Sequence, residues 1–88
     1  MLNQYFTNQF KKDLKKADKA NLDISELEKV INTLASEKPL DVKYKDHILK
    51  GDYVNHRECH IRPDWLLIYQ IEKDTLKLVR TGTHSELY

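Results

Sequence analysis

Trp65 to Ile71, read as WLLIYQI, is apolar almost without a break, with Pro63-Asp64 before it and Lys73-Asp74 after it. The run is far short of the ~18 apolar residues that a membrane span requires. As a strand it must be covered on both faces, because successive side chains point to opposite sides of the sheet and nearly all of these avoid water. The rest of the chain therefore has to supply neighbouring strands and a layer to pack on them.

Candidates for both lie on either side. Asn55 to Arg62 alternates, with Arg57, Cys59 and Ile61 on one face and Glu58, His60 and Arg62 on the other. Lys73-Asp74 supplies a tight hairpin turn, and Thr75 to Thr81 returns as a third strand. Phe6, Phe10, Leu14 and Ala17 recur at helical spacing among Lys11, Lys12, Lys15, Lys16 and Lys19, which predicts an amphipathic helix with a basic outer face. Ile24, Leu27, Val30, Ile31, Leu34 and Ala35 mark a second helix, opened by Ser25 and Glu28 at capping-box spacing and stopped by Pro39. Residues 2 to 6 are a candidate edge strand, and residues 39 to 53 read as an ordered loop around Gly51. The expected fold class is α+β, two N-terminal helices packed on a C-terminal antiparallel sheet.

With 88 residues, the whole chain from 1 to 88 is expected to form a single domain, since a second core needs roughly another 50 to 100 residues. The lone Cys59 cannot form an internal disulfide, and Met1 opens no signal-peptide pattern, so the expectation is a cytoplasmic protein without a membrane partner. The formal net charge of +1 gives no bulk attraction to a polyanion. It conceals a cancellation: residues 1–20 carry +3, 21–42 carry −3, 43–62 carry +2 and 63–88 carry −1. Local basic patches remain able to meet RNA, whereas avid binding to bare RNA is disfavoured.

All four histidines follow residue 46, which directs attention to metal and acid–base chemistry. A strand separates His56 from His60 by roughly 13 Å, too far for one ion, and Cys59 points away from His60. No metal and no cofactor are expected on that basis. Cys59, flanked on its face by Arg57 and Ile61, reads as a small buried hydrophobe rather than a nucleophile. His47, His60, Asp64 and His84 together with Arg80 suit metal-free RNA cleavage. That reaction needs a base for the 2′-hydroxyl, an acid for the departing 5′-oxygen and a cation on the phosphate, and histidine, with a pKa of about 6.5, serves either proton role. Capping or surface histidines are the plainer alternative.

Three strings, YKDHILKG at 44–51, RECHIRPDWLLIYQI at 57–71 and LVRTGTHSELY at 78–88, resemble the YafQ branch of the RelE superfamily of bacterial toxins. The resemblance implies a RelE-like, microbial-RNase-like fold and a ribosome-dependent endoribonuclease that cuts messenger RNA and is silenced by a cognate antitoxin. Operator DNA would be reached only through the antitoxin complex. His47 matches the histidine of the KDH motif and is implied as general base, and His84 matches that of RTGTH and is implied as general acid. The two roles could be exchanged. His60 and Asp64 match the HxxPD positions that assist proton transfer and stabilise the transition state, and Arg80 matches the phosphate-binding arginine. Trp65 and Tyr88 stand where the family has aromatic residues near the site, suited to stacking on a base, although the family commonly has Phe at the position of Tyr88. Lys43, Lys45 and Lys50 around His47 would contact phosphates. Plainer readings place Trp65 in the core, Asp64 as a turn cap, Arg57 and Glu58 as a structural pair or solvated rim, and His56 on the surface. Two alternatives to the ribosomal nuclease remain: a non-catalytic binding module of the same fold acting through its antitoxin, and a free-standing nuclease that cuts naked RNA.

Overall fold

In a computed structural model, which describes all 88 residues, the elements follow the order β1 (Asn3–Phe6), α1 (Asn8–Lys19), α2 (Ile24–Ala35), a 3₁₀ turn (Val42–Tyr44), β2 (His47–Ile48), a second 3₁₀ turn (Gly51–Tyr53), β3 (Arg57–Arg62), β4 (Trp65–Glu72), β5 (Thr75–Gly82) and α3 (His84–Leu87). They form one five-stranded sheet in the order β1-β5-β4-β3-β2. The apolar run is its middle strand, as the sequence requires. Trp65 to Tyr69 are all buried, and only toward the far end does the strand emerge, leaving Ile71 exposed.

β2 to β5 pair antiparallel, but β1 pairs parallel with β5, so the sheet is mixed rather than a pure meander. The 39–53 segment is also more regular than a loop: two 3₁₀ turns flank a two-residue strand that adds to β3. Two residues of edge strand carry too little periodicity to be read from sequence.

The helices cover one face. Phe10, Ala17, Leu27, Val30, Ile31 and Leu34 pack there against Trp65, Leu67 and Tyr69 of β4, with Cys59 and Ile61 from β3 and Leu76 and Leu78 from β5. Each large side chain so buried stabilises the fold by about 1.5–3 kcal/mol. The opposite face carries a small cluster of Leu66, Ile68 and Leu87, with Leu49, Tyr53 and Val79 packed against it. All five α1 lysines, Lys11, Lys12, Lys15, Lys16 and Lys19, stay exposed, as the basic outer face predicts.

α2 departs from its expected ends. Its N-cap is Asp23, whose carboxylate accepts from the Ser25 N–H and hydroxyl, so Ser25 lies inside the helix and the Ser25/Glu28 capping box does not form. The helix stops at Ala35, where Glu37 takes a left-handed φ of 59°, before Pro39 can act.

β1 ends opposite Leu78, and α1 takes its place along the edge of β5. The α1 N-cap, Thr7, accepts from Phe10 N–H while its hydroxyl donates to the Val79 carbonyl at 2.9 Å and its N–H to the Leu78 carbonyl at 3.2 Å. Beneath it the β4–β5 register slips by one residue: Tyr69 pairs with Leu78, but Ile68 pairs with Arg80. Without this bulge Arg80 would oppose Leu67 and enter the helix-side core. With it, Arg80 shares a face with Ile68.

Thr81, the next residue, points back into the core, where its hydroxyl accepts from Trp65 Nε1 at 2.9 Å and donates to the Leu66 carbonyl at 2.7 Å. Thr81→Val keeps the shape and leaves both partners unsatisfied, so unfolding in urea should show a loss of about 1–3 kcal/mol per orphaned group. A loss below about 0.5 kcal/mol, the range of neutral surface changes, would contradict this account of the pair.

Candidate active site

Strand register assembles the site. One row across the sheet runs His47, Glu58, Ile68, Arg80, and the next runs His60, Leu66, Gly82. Directly paired residues share a face, so His47, Glu58, His60 and Arg80 all stand on the side away from α1 and α2. Gly82 leads into α3, which delivers His84. A Cβ at Gly82 would lie 2.9 Å from Glu86 Oε1 and 3.4 Å from Leu87 Cδ2, so glycine allows α3 to fold tightly over the strand end. Glu86 cannot easily yield, because that oxygen accepts the Thr83 N–H in a capping box.

The three imidazoles lie side by side. Ring centroids are 6.2 Å apart for His47 and His60 and 5.7 Å for His60 and His84. His47 Nδ1 is 2.7 Å from the Lys45 carbonyl, which can only accept, so Nδ1 carries the proton and the neutral ring keeps its lone pair on Nε2. His84 Nδ1 lies 2.8 Å from Asp64 Oδ1, which also accepts the His84 backbone N–H at 3.0 Å. These two donors, the backbone first, hold the Asp64 carboxyl below its ordinary range. Asp64 is thus an anchor for His84 rather than only a turn cap.

From the sequence, Glu58 reads as one of a structural pair with Arg57 or as part of a solvated rim. Instead it is buried in the middle of the cluster, with Oε1 3.5 Å from His47 Nε2 and 3.4 Å from His60 Nε2. Its other oxygen accepts the Tyr88 hydroxyl. Desolvation of its hydroxyl against Glu58, followed by the bond to Glu58 itself, pushes the Tyr88 phenol pKa upward, so Tyr88 stays a neutral donor. The Tyr88 ring rests on Tyr53 at 5.9 Å, edge to face, and tilts against His84 at 6.5 Å. An exposed ring beside the imidazoles suits base stacking, and the hydroxyl that distinguishes it from phenylalanine ties it to Glu58.

Sequence reasoning missed several participants. Glu58 was masked by strand alternation, which does not show that β2 brings a histidine opposite it. Asp46 was passed over as a loop residue, yet it accepts from Arg57 Nη2 at 3.2 Å and from the Tyr69 hydroxyl at 2.5 Å. That tether fixes the chain next to His47, where Lys45 adopts a left-handed φ of 51° at a cost of about 1 kcal/mol. Asp13 belongs to no motif and stands among the lysines of α1. It is buried and holds Arg80 through Nε at 2.9 Å and Nη2 at 3.1 Å. The Asp13 carboxylate raises the Arg80 pKa, and Tyr53 contributes further.

The expected residues otherwise divide. His47, His60, Asp64, Arg80, His84 and Tyr88 converge as described. Trp65 does not: it is 2% exposed, on the helix side of the sheet, and bonded to Thr81, so it cannot stack on a base. The apolar run that makes β4 central also buries its first residue. Lys43 and Lys45 line an open cleft of about 590 Å³ with Lys29, His60 and Arg62, whereas Lys50 is exposed at the start of the second 3₁₀ turn, outside that cleft. His56 precedes β3, with Nδ1 on the Val54 carbonyl. Cys59 is fully buried, and desolvation pushes its thiol up to about 12, which removes it as a nucleophile.

The spacing test for a metal considered His56, His60 and Cys59. The fold gathers a different trio, His47, Glu58 and His60, whose ligand atoms all lie within 4.8 Å of one another. Two imidazole Nε2 atoms and a carboxylate oxygen, with His47 Nδ1 anchored on a carbonyl, form a donor set that fits a borderline transition-metal ion.

Comparison with known proteins agrees with this fold. The family described as "Bacterial toxin of type II toxin-antitoxin system, YafQ" matches residues 2–88. The mRNA interferase toxin YafQ of Escherichia coli K12 is 38% identical over 84 residues, covering 94% of this chain and 91% of its own. A crystal structure of a metal-bound toxin from Helicobacter pylori superposes with a TM-score of 0.94 at 51% identity, covering 100% of both chains. The E. coli DinJ–YafQ complex gives 0.93 at 36% identity, covering 100% of this chain and 99% of the other. By sequence over nearly its whole length and by fold, the chain belongs to the YafQ family of bacterial type II toxin-antitoxin toxins.

Proposed function

We propose that this toxin is an mRNA interferase, an endoribonuclease that cuts messenger RNA on the ribosome by 2′-hydroxyl attack, uses no catalytic metal and is silenced by a cognate antitoxin. One observation carries the reading: three imidazoles follow one another at centroid separations of 6.2 and 5.7 Å, and His47 shares a row across the sheet with an arginine. His47 Nε2, with Nδ1 already committed to a carbonyl, accepts the 2′-hydroxyl proton. The resulting oxygen attacks the adjacent phosphorus, Arg80 holds the growing phosphate charge, and the 5′-oxygen leaves with a proton from His84 Nε2. Asp64 compensates the charge of the His84 ring when it carries both protons. His60, between the two, supports proton transfer, and Tyr88 stacks on a base. The products are a 2′,3′-cyclic phosphate and a 5′-hydroxyl.

The near-neutral net charge supports action on the ribosome, because local cations can guide a strand that a larger particle has already positioned. Lys43 and Lys45 provide such cations beside His60. E. coli YafQ forms a complex with DinJ, and the match over this entire chain supports an antitoxin partner here; operator DNA would be reached only through that partner. No helix is long and apolar enough to cross a membrane.

A metal ion on His47, Glu58 and His60 would supply a local positive charge. It would also occupy the Nε2 lone pairs, so base catalysis by His47 and metal occupancy exclude each other. Toxin stripped with EDTA and freed of the chelator before it meets programmed ribosomes should cleave normally, and added copper or zinc should inhibit it. Loss of activity in the stripped toxin on intact ribosomes, restored by the ion, would establish the metal instead.

His84→Ala should slow cleavage on programmed ribosomes by about 10²- to 10⁴-fold while folding and antitoxin binding persist. An unchanged rate removes His84 from the mechanism, and a wild-type chain that binds antitoxin but cuts nothing reduces the protein to a binding module. For Asp64, the folded pKa lies below the unfolded value of about 3.9, so its contribution is complete above that value and fades only as pH falls through the folded one. Asp64 is therefore ionised near neutrality, and Asp64→Asn should slow cleavage at pH 7 by about 10-fold or more; an unchanged rate would contradict its role as the anchor of His84.

A further inference from the structure

We propose that Asp13 is a positioning residue for the cleavage reaction, acting through Arg80. The inference rests on the nuclease reading above and adds to it a carboxylate on the far side of the sheet edge. Beyond Leu78 no strand borders the outer edge of β5, so the backbone groups that the bulge turns to that edge need partners from elsewhere. Thr7 takes the Val79 carbonyl. Asp13 takes the other end: Oδ2 accepts the Thr81 N–H at 3.2 Å and Arg80 Nε at 2.9 Å, while Oδ1 accepts Arg80 Nη2 at 3.1 Å. One buried carboxylate thus pins both the backbone that turns Arg80 toward the histidines and the guanidinium itself.

The mode of contact matters. Arginine has five N–H groups in a rigid plane. Asp13 engages the side formed by Nε and Nη2, which leaves both Nη1 hydrogens and one on Nη2. That free end is a two-pronged donor for two phosphate oxygens. Gln9 Nε2 donates to Asp13 Oδ1 at 3.1 Å and steadies the carboxylate from α1. Arg80 is therefore presented to substrate in one orientation, already desolvated on the side it does not use.

Misplacement of a charge-stabilising group by about 1 Å costs on the order of 10²-fold in rate. Asp13→Asn should accordingly lower kcat on programmed ribosomes by about 10- to 100-fold, with KM changed less than about threefold. Arg80→Ala should be slow as well, and the double variant no slower than Arg80→Ala alone, since Asp13 acts only through that side chain. Multiplied losses in the double variant would overturn the proposal and mark Asp13 as a general stability residue. A normal kcat for Asp13→Asn beside a slow Arg80→Ala would overturn it while leaving the nuclease reading intact. A wild-type rate for Arg80→Ala would sink the reading of Arg80 itself. Should Asp13→Asn fail to fold, NMR of the wild-type chain decides. The Arg80 Nε–H should exchange slowly with solvent, and exchange at the rate of a free arginine would overturn the clamp.

Discussion

Between the Tyr69–Leu78 and Ile68–Arg80 pairs, β5 contains one residue more than β4, and the placement of Arg80 depends on it. A strand has a period of two, so a slip of one residue exchanges faces. Leu76 and Leu78, before the slip, lie in the core under the helices, and Arg80, after it, joins the row of His47 and Glu58. The same strand can thus bury its first half conventionally and present a cation to the opposite face. The slip survives because α1 lies where β1 has ended and supplies Thr7 and Asp13 to the unpaired backbone. Helix and histidine-bearing face are in this way one mechanical unit.

The remaining site groups are fixed by contacts of the same kind, each from an element other than their own. Asp64 in the β3–β4 turn holds His84 on α3. Arg57 on β3 and Tyr69 on β4 hold Asp46 beside His47. Glu58 on β3 meets His47 from β2 and Tyr88 from beyond α3. Catalysis that relies on positioned acids and bases gains more from such rigidity than from affinity for the substrate. The same placement brings the ligand atoms of His47, Glu58 and His60 within 4.8 Å of one another as a donor set for a metal, so one geometry supports two mutually exclusive occupancies of the Nε2 atoms.

Much of this was legible in the residues. The WLLIYQI run, the two helical stripes and the Lys73-Asp74 turn specify a central strand, a covering layer and a hairpin, and all three are present. The grouping of His47, His60, Asp64, Arg80 and His84 followed from reaction chemistry and family motifs together. What escaped was set by long-range pairing. The parallel addition of β1, the two-residue β2 and the bulge have no periodic signature, and the burial of Glu58 and Asp13 depends on partners 11 and 67 residues away in sequence. Trp65 was misplaced because a motif gives proximity along the chain, whereas the pleat decides the face.

The central claim is that the RNA's own 2′-hydroxyl, activated by a histidine, is the nucleophile. The termini left on messenger RNA cut by the purified toxin on programmed ribosomes test it directly by mass spectrometry. A 2′,3′-cyclic phosphate on the upstream fragment and a 5′-hydroxyl on the downstream one are predicted. A 3′-hydroxyl with a 5′-phosphate would show that water attacked instead, and would contradict the assignment of the histidine row.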